Sequence, residues 1–288
     1  MNAALPTTVD EVIGALADVP DALVLAGGTD LMVAVNAGTT VVPAVVALTS
    51  VDGLRGVRRD GDDLVLGAMT TYTEMLTGAV AELAPGLAQA ARTVGSPQIR
   101  NAGTIGGNLA TASPAGDTLP VLAALDATVE LVGPDGARSM PVTDFLVGPK
   151  RSALGVSELI SAVRLPVVAG PQQYRKVGVR NAMVIAVASL ALVVDRTVGT
   201  VQVGLGSVGP VPLRAPDAEA FAASAVDWST GTLIDPSAAV RFGELVAEAA
   251  RPIDDHRSTA SYRRHAVAVL ARRALATSCA GPTEEAAA

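Results

Sequence analysis

Two glycine-rich segments contain the residue types best suited to binding a phosphate. The first, residues 25–31 (Leu-Ala-Gly-Gly-Thr-Asp-Leu), follows an apolar run that predicts a buried strand. The second is residues 103–108 (Gly-Thr-Ile-Gly-Gly-Asn). Because glycine lacks a Cβ atom, backbone N–H groups in such segments can approach an anion closely. We therefore expect these two glycine loops to hold the two phosphates of one dinucleotide.

Each glycine loop also has an interpretation without a ligand. The first could be an ordinary strand-to-helix turn with Asp30 near the helix N-terminus. The second could be a flexible surface loop, because it lies in residues 95–116, a stretch rich in Gly, Asn, Ser and Pro and without apolar periodicity, which predicts a loop. A loop of this length is uncommon unless it is functional, and this favours binding. Beyond it, Asp117 is the expected N-cap of a helix with Pro120 in its first turn.

Few residues of this chain could bind a metal. Its only cysteine is Cys279, and its only histidines are His256 and His265, which we expect on the surface. An iron–sulfur cluster usually takes four thiolates, so neither a cluster nor a histidine-rich metal site is expected here. Redox chemistry would have to come from an organic cofactor or from a partner chain. A single cysteine makes a reducing, cytoplasmic location the simplest expectation.

The composition of the 288 residues predicts a folded protein that does not bind nucleic acid. Half of the residues are apolar and 17% are charged, which suits a large buried core. A net charge of −7 and 2% aromatic residues disfavour both phosphate-backbone binding and base stacking. The longest apolar run, residues 182–194, is shorter than the roughly 20 residues of a membrane span. The N-terminus lacks the pattern of a signal peptide.

A third glycine motif, Gly204-Leu-Gly-Ser-Val-Gly209, has the spacing of a Rossmann dinucleotide loop. A Rossmann loop must lead into a helix whose N-terminus holds the pyrophosphate. Pro210 and Pro212 follow instead, and a helix through them would be strained. We therefore exclude a Rossmann site.

The apolar runs and turn signals predict an α+β chain. Strands are expected at residues 23–26, 41–48, 62–66, 127–132 and 159–165, and helices at residues 70–82 and 86–93. After a candidate linker, residues 174–180, 182–194 and 200–206 predict an antiparallel sheet. Two helices, at residues 236–250 and 258–276, complete the pattern.

Lysine is scarce, since only Lys150 and Lys176 among 21 basic residues are lysines. Lys176 lies on an expected strand and shares a face with Gly178 and Arg180. A lysine beside a flavin can stabilise negative charge on the reduced ring, whereas the alternative is a solvated strand face.

Several segments together match one family over nearly the whole chain. The most specific are residues 98–109 (Gln-Ile-Arg-Asn-Ala-Gly-Thr-Ile-Gly-Gly-Asn-Leu) and 113–117 (Ser-Pro-Ala-Gly-Asp). Further matching segments are residues 6–12, 25–31, 64–71, 176–183 and 204–214. Through them the chain resembles the FAD-binding medium subunits of the molybdenum hydroxylases, the family of xanthine dehydrogenase and carbon monoxide dehydrogenase. In this resemblance the third glycine motif is a structural loop.

The resemblance implies two domains and a tail. Residues 1–168 would form an FAD-binding domain of the vanillyl-alcohol-oxidase/p-cresol-methylhydroxylase type, with subdomains of about 1–53 and 54–168. Residues 172–276 would form a smaller α+β C-terminal domain of the carbon monoxide dehydrogenase flavoprotein type, with an antiparallel sheet. Residues 277–288 would be a flexible tail.

The resemblance also assigns the residues that would contact FAD. The first loop would supply Val24, Leu25, Ala26, Gly27, Gly28, Thr29, Asp30 and Leu31, with Gly27, Gly28 and Thr29 at the pyrophosphate. The second would supply Thr104, Ile105, Gly106, Gly107 and Asn108. Outside the loops the assigned residues are Val94, the flavin-contacting acid Asp117, Ile160, Tyr174 and Lys176. Because no histidine lies near the loops, FAD would be bound non-covalently.

The function implied is that of an electron-transfer subunit in a heterotrimer. A large partner would carry molybdopterin, and a small partner would carry [2Fe-2S] clusters that pass electrons to FAD on this chain. The acceptor would be NAD+, a quinone or another molecule. A non-catalytic flavin-domain scaffold and a stand-alone FAD oxidoreductase are the alternatives. The chain lacks the extra cysteines by which some relatives bind a further cluster.

Overall fold

A computed structural model describes residues 2–180 and 183–280. Residues 181–182, which lie in the matching segment 176–183, and residues 281–288 of the expected tail lie outside the described residues. Among the described residues, none of the helices combines the length and apolar character that crossing a bilayer requires.

The N-terminal part is a small parallel sheet with two helices. Its elements are β1 (Asn2–Ala4), α1 (Val9–Asp18), β2 (Leu23–Leu25), α2 (Leu31–Asn36) and β3 (Ala44–Ala47). Both β1 and β2 pair in parallel with the central β3. The α1 helix begins with a capping box, in which Thr8 and Glu11 satisfy each other's backbone N–H groups. The first glycine loop follows β2 directly and leads into α2.

A five-stranded antiparallel sheet follows, in the order β4-β5-β10-β6-β7. Its strands are β4 (Val57–Asp60), β5 (Asp63–Gly67), β6 (Thr128–Gly133), β7 (Gly136–Pro141) and, after a helical turn and a short hairpin, β10 (Leu159–Pro166). The turn and hairpin are α8 (Val142–Phe145), β8 (Leu146–Gly148) and β9 (Arg151–Ser152). The predicted strands at residues 62–66, 127–132 and 159–165 are thus confirmed.

Short helices fill the chain between β5 and β6. They are α3 (Gly78–Leu83), α4 (Pro85–Thr93), α5 (Pro97–Ala102), α6 (Ile105–Thr111) and α7 (Leu119–Ala124). The single helix predicted at residues 70–82 is wrong, because this segment forms a turn, a 3-10 helix at Glu74–Leu76 and then α3. The loop predicted at residues 95–116 is also wrong, because α5 and α6 occupy most of it.

The C-terminal part is an antiparallel sheet covered by helices. Its sheet has the order β11-β12-β13, and this confirms the predicted sheet. The elements are β11 (Gln172–Val177), β12 (Ala188–Asp195), β13 (Thr200–Gly206), α9 (Pro216–Ala225), β14 (Val226–Asp227), β15 (Thr232–Leu233), α10 (Ala238–Ala249) and α11 (Ala260–Ser278). The two predicted C-terminal helices are confirmed as α10 and α11, and His256 and His265 are exposed.

The central core joins the antiparallel sheets. The α7 helix is buried on all sides, and Ala191 and Val193 of β12 belong to the same apolar cluster. At Gly204 a Cβ atom would lie 1.8 Å from the carbonyl oxygen of Pro120, so α7 lies directly on β13. Gly204 of the third motif is therefore required by the packing of α7 against β13. After β13 the backbone forms an antiparallel bridge between Leu205 and Leu213, and the next helix is α9, so the exclusion of a Rossmann loop is confirmed.

Candidate functional site

The first glycine loop presents unused hydrogen-bond donors. Its backbone turns through Gly28, whose φ of +70° is a left-handed conformation that glycine adopts without strain. The backbone N–H groups of Gly27, Gly28, Thr29 and Asp30 donate to no carbonyl group elsewhere in the described residues. Such a run of free, partly exposed donors is suited to an anionic group.

The two glycine loops meet at Gly27. A Cβ atom on Gly27 would lie 1.7 Å from the carbonyl oxygen of Ala102 and 3.0 Å from the backbone nitrogen of Gly103. Only glycine allows the backbone of the first loop to approach the backbone of the second so closely. The parts of the chain that carry the loops are therefore fixed side by side.

The second loop has already used most of its donors. Ile105 N donates to Thr70 O (3.0 Å) and Gly106 N to Ala68 O (2.9 Å), and Gly107 N donates to the Thr104 hydroxyl (3.1 Å). These N–H groups fasten the first turn of α6 to the residues after β5. Each of these three N–H groups has a partner within the protein, and the expectation that the second loop holds a phosphate stays a prediction.

A cleft of about 910 Å³ opens beside the two loops. This volume is at the upper end of the range usual for small-molecule and cofactor sites. Five of the predicted site residues line it, and they are Thr29, Asp30, Val94, Asn108 and Asp117. The opposite wall comes from the C-terminal part, between β11 and β12 and in the segments after β13 and α10. The cleft therefore lies between the two halves of the chain.

Asp117 is the buried acid of this cleft. Its Oδ2 accepts a hydrogen bond from Lys176 Nζ at 2.6 Å, and its Oδ1 accepts one from Tyr174 Oη at 2.7 Å. The hydroxyl of Thr93 lies 3.1 Å from Oδ2. The side chains of Asp117 and Lys176 are only 8% and 10% exposed. This cluster links α4, the segment before α7, and β11 across the two halves of the chain.

The protonation of the cluster follows from burial. Burial raises the pKa of Asp117, although the Lys176 ammonium and the neighbouring hydroxyls oppose that shift. Burial, with the carboxylate of Asp117, raises the pKa of Tyr174 well above its ordinary value of 10.0. The phenol therefore stays protonated and donates to Asp117. A buried carboxylate stays ionised only beside an opposite charge, and Lys176 supplies that charge to Asp117.

Two predicted roles need correction. Asp117 does not cap a helix, because Thr118 is the N-cap residue of α7 and the Asp117 carboxylate bonds to Tyr174 and Lys176 instead. Lys176 does not lie on a solvated strand face. Its ammonium donates to Asp117, to Thr93 O and to Val184 O, so its three N–H groups all have protein partners.

The remaining predicted residues do not line the cleft. Val24 and Leu25 are on β2, Ala26, Gly27 and Gly28 follow it, and Leu31 begins α2. Thr104 is the N-cap of α6, and Ile105, Gly106 and Gly107 are the first residues of that helix. Ile160 is 4% exposed within β10 and lines no part of the cleft, so its contact with a flavin stays a prediction.

Sequence reasoning assigned none of the five cationic side chains that line the cleft to a site. These are Lys150, Arg180, Arg251, Arg257 and Arg263. Lys150 could have been found, because it is the only lysine besides Lys176. The arginines could not, because arginine is common in this sequence. Within residues 2–180 and 183–280 no group of three or more His, Cys, Asp or Glu side chains is arranged to hold a metal ion.

Two protein families match the chain. The family described as "FAD binding domain in molybdopterin dehydrogenase" matches residues 1–168, which is more than half of the chain. The chain belongs to this family. A second family, "CO dehydrogenase flavoprotein C-terminal domain", matches residues 172–278. The resemblance inferred from the sequence motifs is therefore confirmed, and with it the expectation of an FAD-binding subunit.

Relatives and solved structures agree with this assignment. The carbon monoxide dehydrogenase medium chain of Afipia carboxidovorans is 32% identical, over 88% of each chain. The xanthine dehydrogenase FAD-binding subunit of Escherichia coli O157:H7 is 26% identical, over 95% of this chain and 94% of that one. A solved structure, reconstituted CO dehydrogenase from Oligotropha carboxidovorans, superposes with a TM-score of 0.89 at 30% identity and covers 98% of each chain.

These likenesses decide the class of the protein. It is a medium, FAD-binding subunit of the molybdenum hydroxylase type, and thus part of an oxidoreductase. The mixed α and β architecture with antiparallel sheets agrees with that assignment. The open N–H groups of the first glycine loop and the Gly27 contact suit the diphosphate of FAD.

Proposed function

We propose that this chain binds FAD non-covalently and passes electrons from a partner's iron–sulfur clusters to an external acceptor such as NAD+ or a quinone. A large molybdopterin-binding subunit and a small [2Fe-2S] subunit would be its partners in a heterotrimer. Residues 1–168 would be the FAD-binding domain, of the vanillyl-alcohol-oxidase type, and residues 172–276 the C-terminal domain. FAD supplies the redox chemistry when it is bound, and the protein supplies binding and orientation.

One observation carries the proposal. The free backbone donors of residues 27–30 lie where the two glycine loops touch, at the edge of a cleft of about 910 Å³. In this proposal the first loop holds the diphosphate, and Thr29 adds its hydroxyl. Residues 104–107 shape the site through packing, and Asn108 and Val94 contribute to the cleft wall. The chemistry of these donors fits an anionic dinucleotide.

Asp117 would orient the flavin from the cleft wall. Each carboxylate oxygen can accept more than one hydrogen bond, so Asp117 can receive a ligand N–H in addition to Tyr174 and Lys176. Lys176 and Tyr174 act through Asp117, because their polar groups are directed at it. They fix the carboxylate in one orientation and keep it charged beside the cofactor.

The test is purification of the chain co-expressed with the large and small subunits proposed as its partners. We expect a yellow complex whose FAD is released on denaturation, because no covalent link is proposed. We also expect photoreduced flavin in the complex to be reoxidised by the external acceptor. A colourless chain that ignores added FAD would contradict the proposal.

The same preparation separates the alternatives. A stand-alone oxidoreductase would purify without partners and turn over by itself. A scaffold would assemble with both partners but support their activity after its FAD had been removed. The free donors of the first loop argue against a scaffold. In a domain that binds no ligand, backbone N–H groups are normally paired within the protein.

A further inference from the structure

The far wall of the cleft contains a cluster of positive charge. Arg251, Arg257 and Arg263 line it together with Ser207 and Asp255, and we name these five residues the arginine corner. Arg257 and Arg263 pair with the Asp255 carboxylate at 3.2 Å and 2.6 Å, whereas Arg251 Nη1 donates to the backbone carbonyls of Glu248 and Ala250. Ser207 follows β13, and the other four residues lie on the segment after α10 and on α11. The corner and the glycine loops therefore come from different halves of the chain.

Arg263 is buried in the corner with part of its hydrogen-bonding capacity unused. It is 3% exposed. Its Nη1 donates to Val187 O (2.7 Å) and Ser207 O (2.9 Å), and its Nη2 donates to Asp255 Oδ1 (2.6 Å). Its Nε and the hydroxyl of Ser207 are buried and bond to no group of the described residues. Buried polar atoms that lack a protein partner are rare, and a bound ligand or water is a common explanation for them.

The corner is rigid because its backbone and carboxylate are constrained. Ser207 has a φ of +61°, a left-handed conformation that is unfavourable for a non-glycine residue and persists only where the surrounding structure holds it. Asp255 accepts from the backbone nitrogens of Arg257 and Ser258 as well as from Arg263. Asp255 therefore positions two of the arginines rather than neutralising all three.

We propose that the arginine corner binds a phosphate group of a dinucleotide electron acceptor such as NAD+. This proposal rests on the proposed function, in which an external acceptor reaches FAD in this cleft. Guanidinium groups bind phosphate oxygens through paired hydrogen bonds, whereas an uncharged quinone has no phosphate for them to bind. The diphosphate of FAD is assigned to the first glycine loop on the other wall, so the corner is left for a second anion.

The experiment measures NAD+ binding to the FAD-loaded complex through the change in flavin absorbance. The test variant is the double substitution Arg251→Gln and Arg257→Gln. Arg251 is exposed and the Arg257 side chain is 34% exposed, so neither change empties the core. We expect the Kd for NAD+ to rise about 100-fold, roughly tenfold for each arginine lost, while the FAD content stays unchanged.

Two comparisons make the result specific. Arg241→Gln, on the exposed face of α10 where Arg241 pairs with Glu244 and Glu248, should leave the Kd unchanged. Ser207→Ala removes the unpartnered hydroxyl and should weaken NAD+ binding several-fold, about half a log unit.

Three outcomes overturn the inference. The first is a wild-type complex that binds no NAD+ at millimolar concentration. The second is a double variant that binds NAD+ as tightly as wild type. The third is a double variant that loses FAD, since the corner would then serve the resident cofactor. All three leave the proposed function intact if the wild-type chain holds FAD, so the two proposals fail separately.

Discussion

The two glycine loops meet at the same point but use their glycines differently. In the first loop, Gly28 turns the backbone and the N–H groups of residues 27–30 stay free. In the second, Gly106 lets α6 approach Ala68, and the N–H groups of its first turn are bonded to protein atoms. The N–H groups of the first loop are therefore available to a ligand, whereas those of the first turn of α6 stabilise the fold.

This difference shows that similar glycine patterns can leave backbone N–H groups free in one loop and bond them within the protein in another. Both loops have two consecutive glycines with a threonine and an apolar residue within two positions of them. The loops differ in whether protein oxygen atoms accept hydrogen bonds from their N–H groups. The comparison can be tested by substitutions that act on ligand binding in one loop and on stability in the other.

The largest effect is expected from Gly27→Ala, which acts on the contact between the loops. The new Cβ atom would lie 1.7 Å from Ala102 O, inside the backbone itself, so the loops would have to separate. We expect FAD to be lost and the free energy of unfolding to fall by about 3 kcal/mol or more. Flavin content and denaturant unfolding measure the two effects. A variant with full FAD content would show that the contact is unnecessary.

Gly106→Ala should affect the fold of the second loop. Its Cβ atom would lie 2.7 Å from Ala68 Cβ and 2.8 Å from Ala68 O. Overpacking of this kind lowers the free energy of unfolding by about 1–3 kcal/mol. The control is Gly107→Ala, where the nearest atom is the Thr104 hydroxyl at 3.1 Å and alanine favours the helix. Equal losses in denaturant unfolding would mean that packing at Ala68 is not the cause.

The threonines of the two loops give a matched pair. Thr29→Val removes a hydroxyl that lines the cleft, so the Kd for FAD should rise about tenfold with little change in stability. Thr104→Val removes the N-cap hydroxyl that accepts from Gly107 N, so the chain should lose about 1 kcal/mol with little change in the Kd. FAD titration and unfolding of the stripped chain test both. Exchanged results would reverse the assignment of the loops.

Much of the fold could be predicted because its signals are local. Strands such as β5, β10 and β13 are apolar runs bounded by turn residues, and α11 is long enough to be recognised. The helices α5 and α6 could not be predicted, because they are six and seven residues long, both include asparagine, and α6 includes two glycines. They are helical because caps and tertiary contacts override weak propensity.

The site was predictable where it follows a motif and unpredictable where it depends on distant residues. The first glycine loop and Asp117 are recognisable from their segments. The true partners of Asp117, however, are Tyr174 and Lys176, which are 57 and 59 residues away. A local pattern suggested a helix cap because capping and ligand binding use the same carboxylate. The arginine corner depends on folding that brings Ser207 to Arg263, and no local signal marks it.

The smallest expected effect is a loss of stability at low pH. It concerns the arginine corner and not the glycine loops. Although burial opposes its ionisation, hydrogen bonds from Arg257 N, Arg263 and Ser258 N lower the pKa of Asp255 from 3.8 to about 2. Because the folded-state pKa lies below the unfolded value, Asp255 stabilises the fold fully above pH 3.8 and loses that contribution as the pH falls towards 2.

The gap in Tm between wild type and Asp255→Asn should therefore be a few degrees near neutral pH and should close in acid. Thermal unfolding across that range measures it, with Asp144→Asn at an exposed position as the control. Neither glycine loop forms an ion pair among the described residues, so their contact should not contribute to this gap. A gap that is constant with pH would mean that the carboxylate acts through its shape rather than its charge, and Asp255 could then not be the group that orients the arginines.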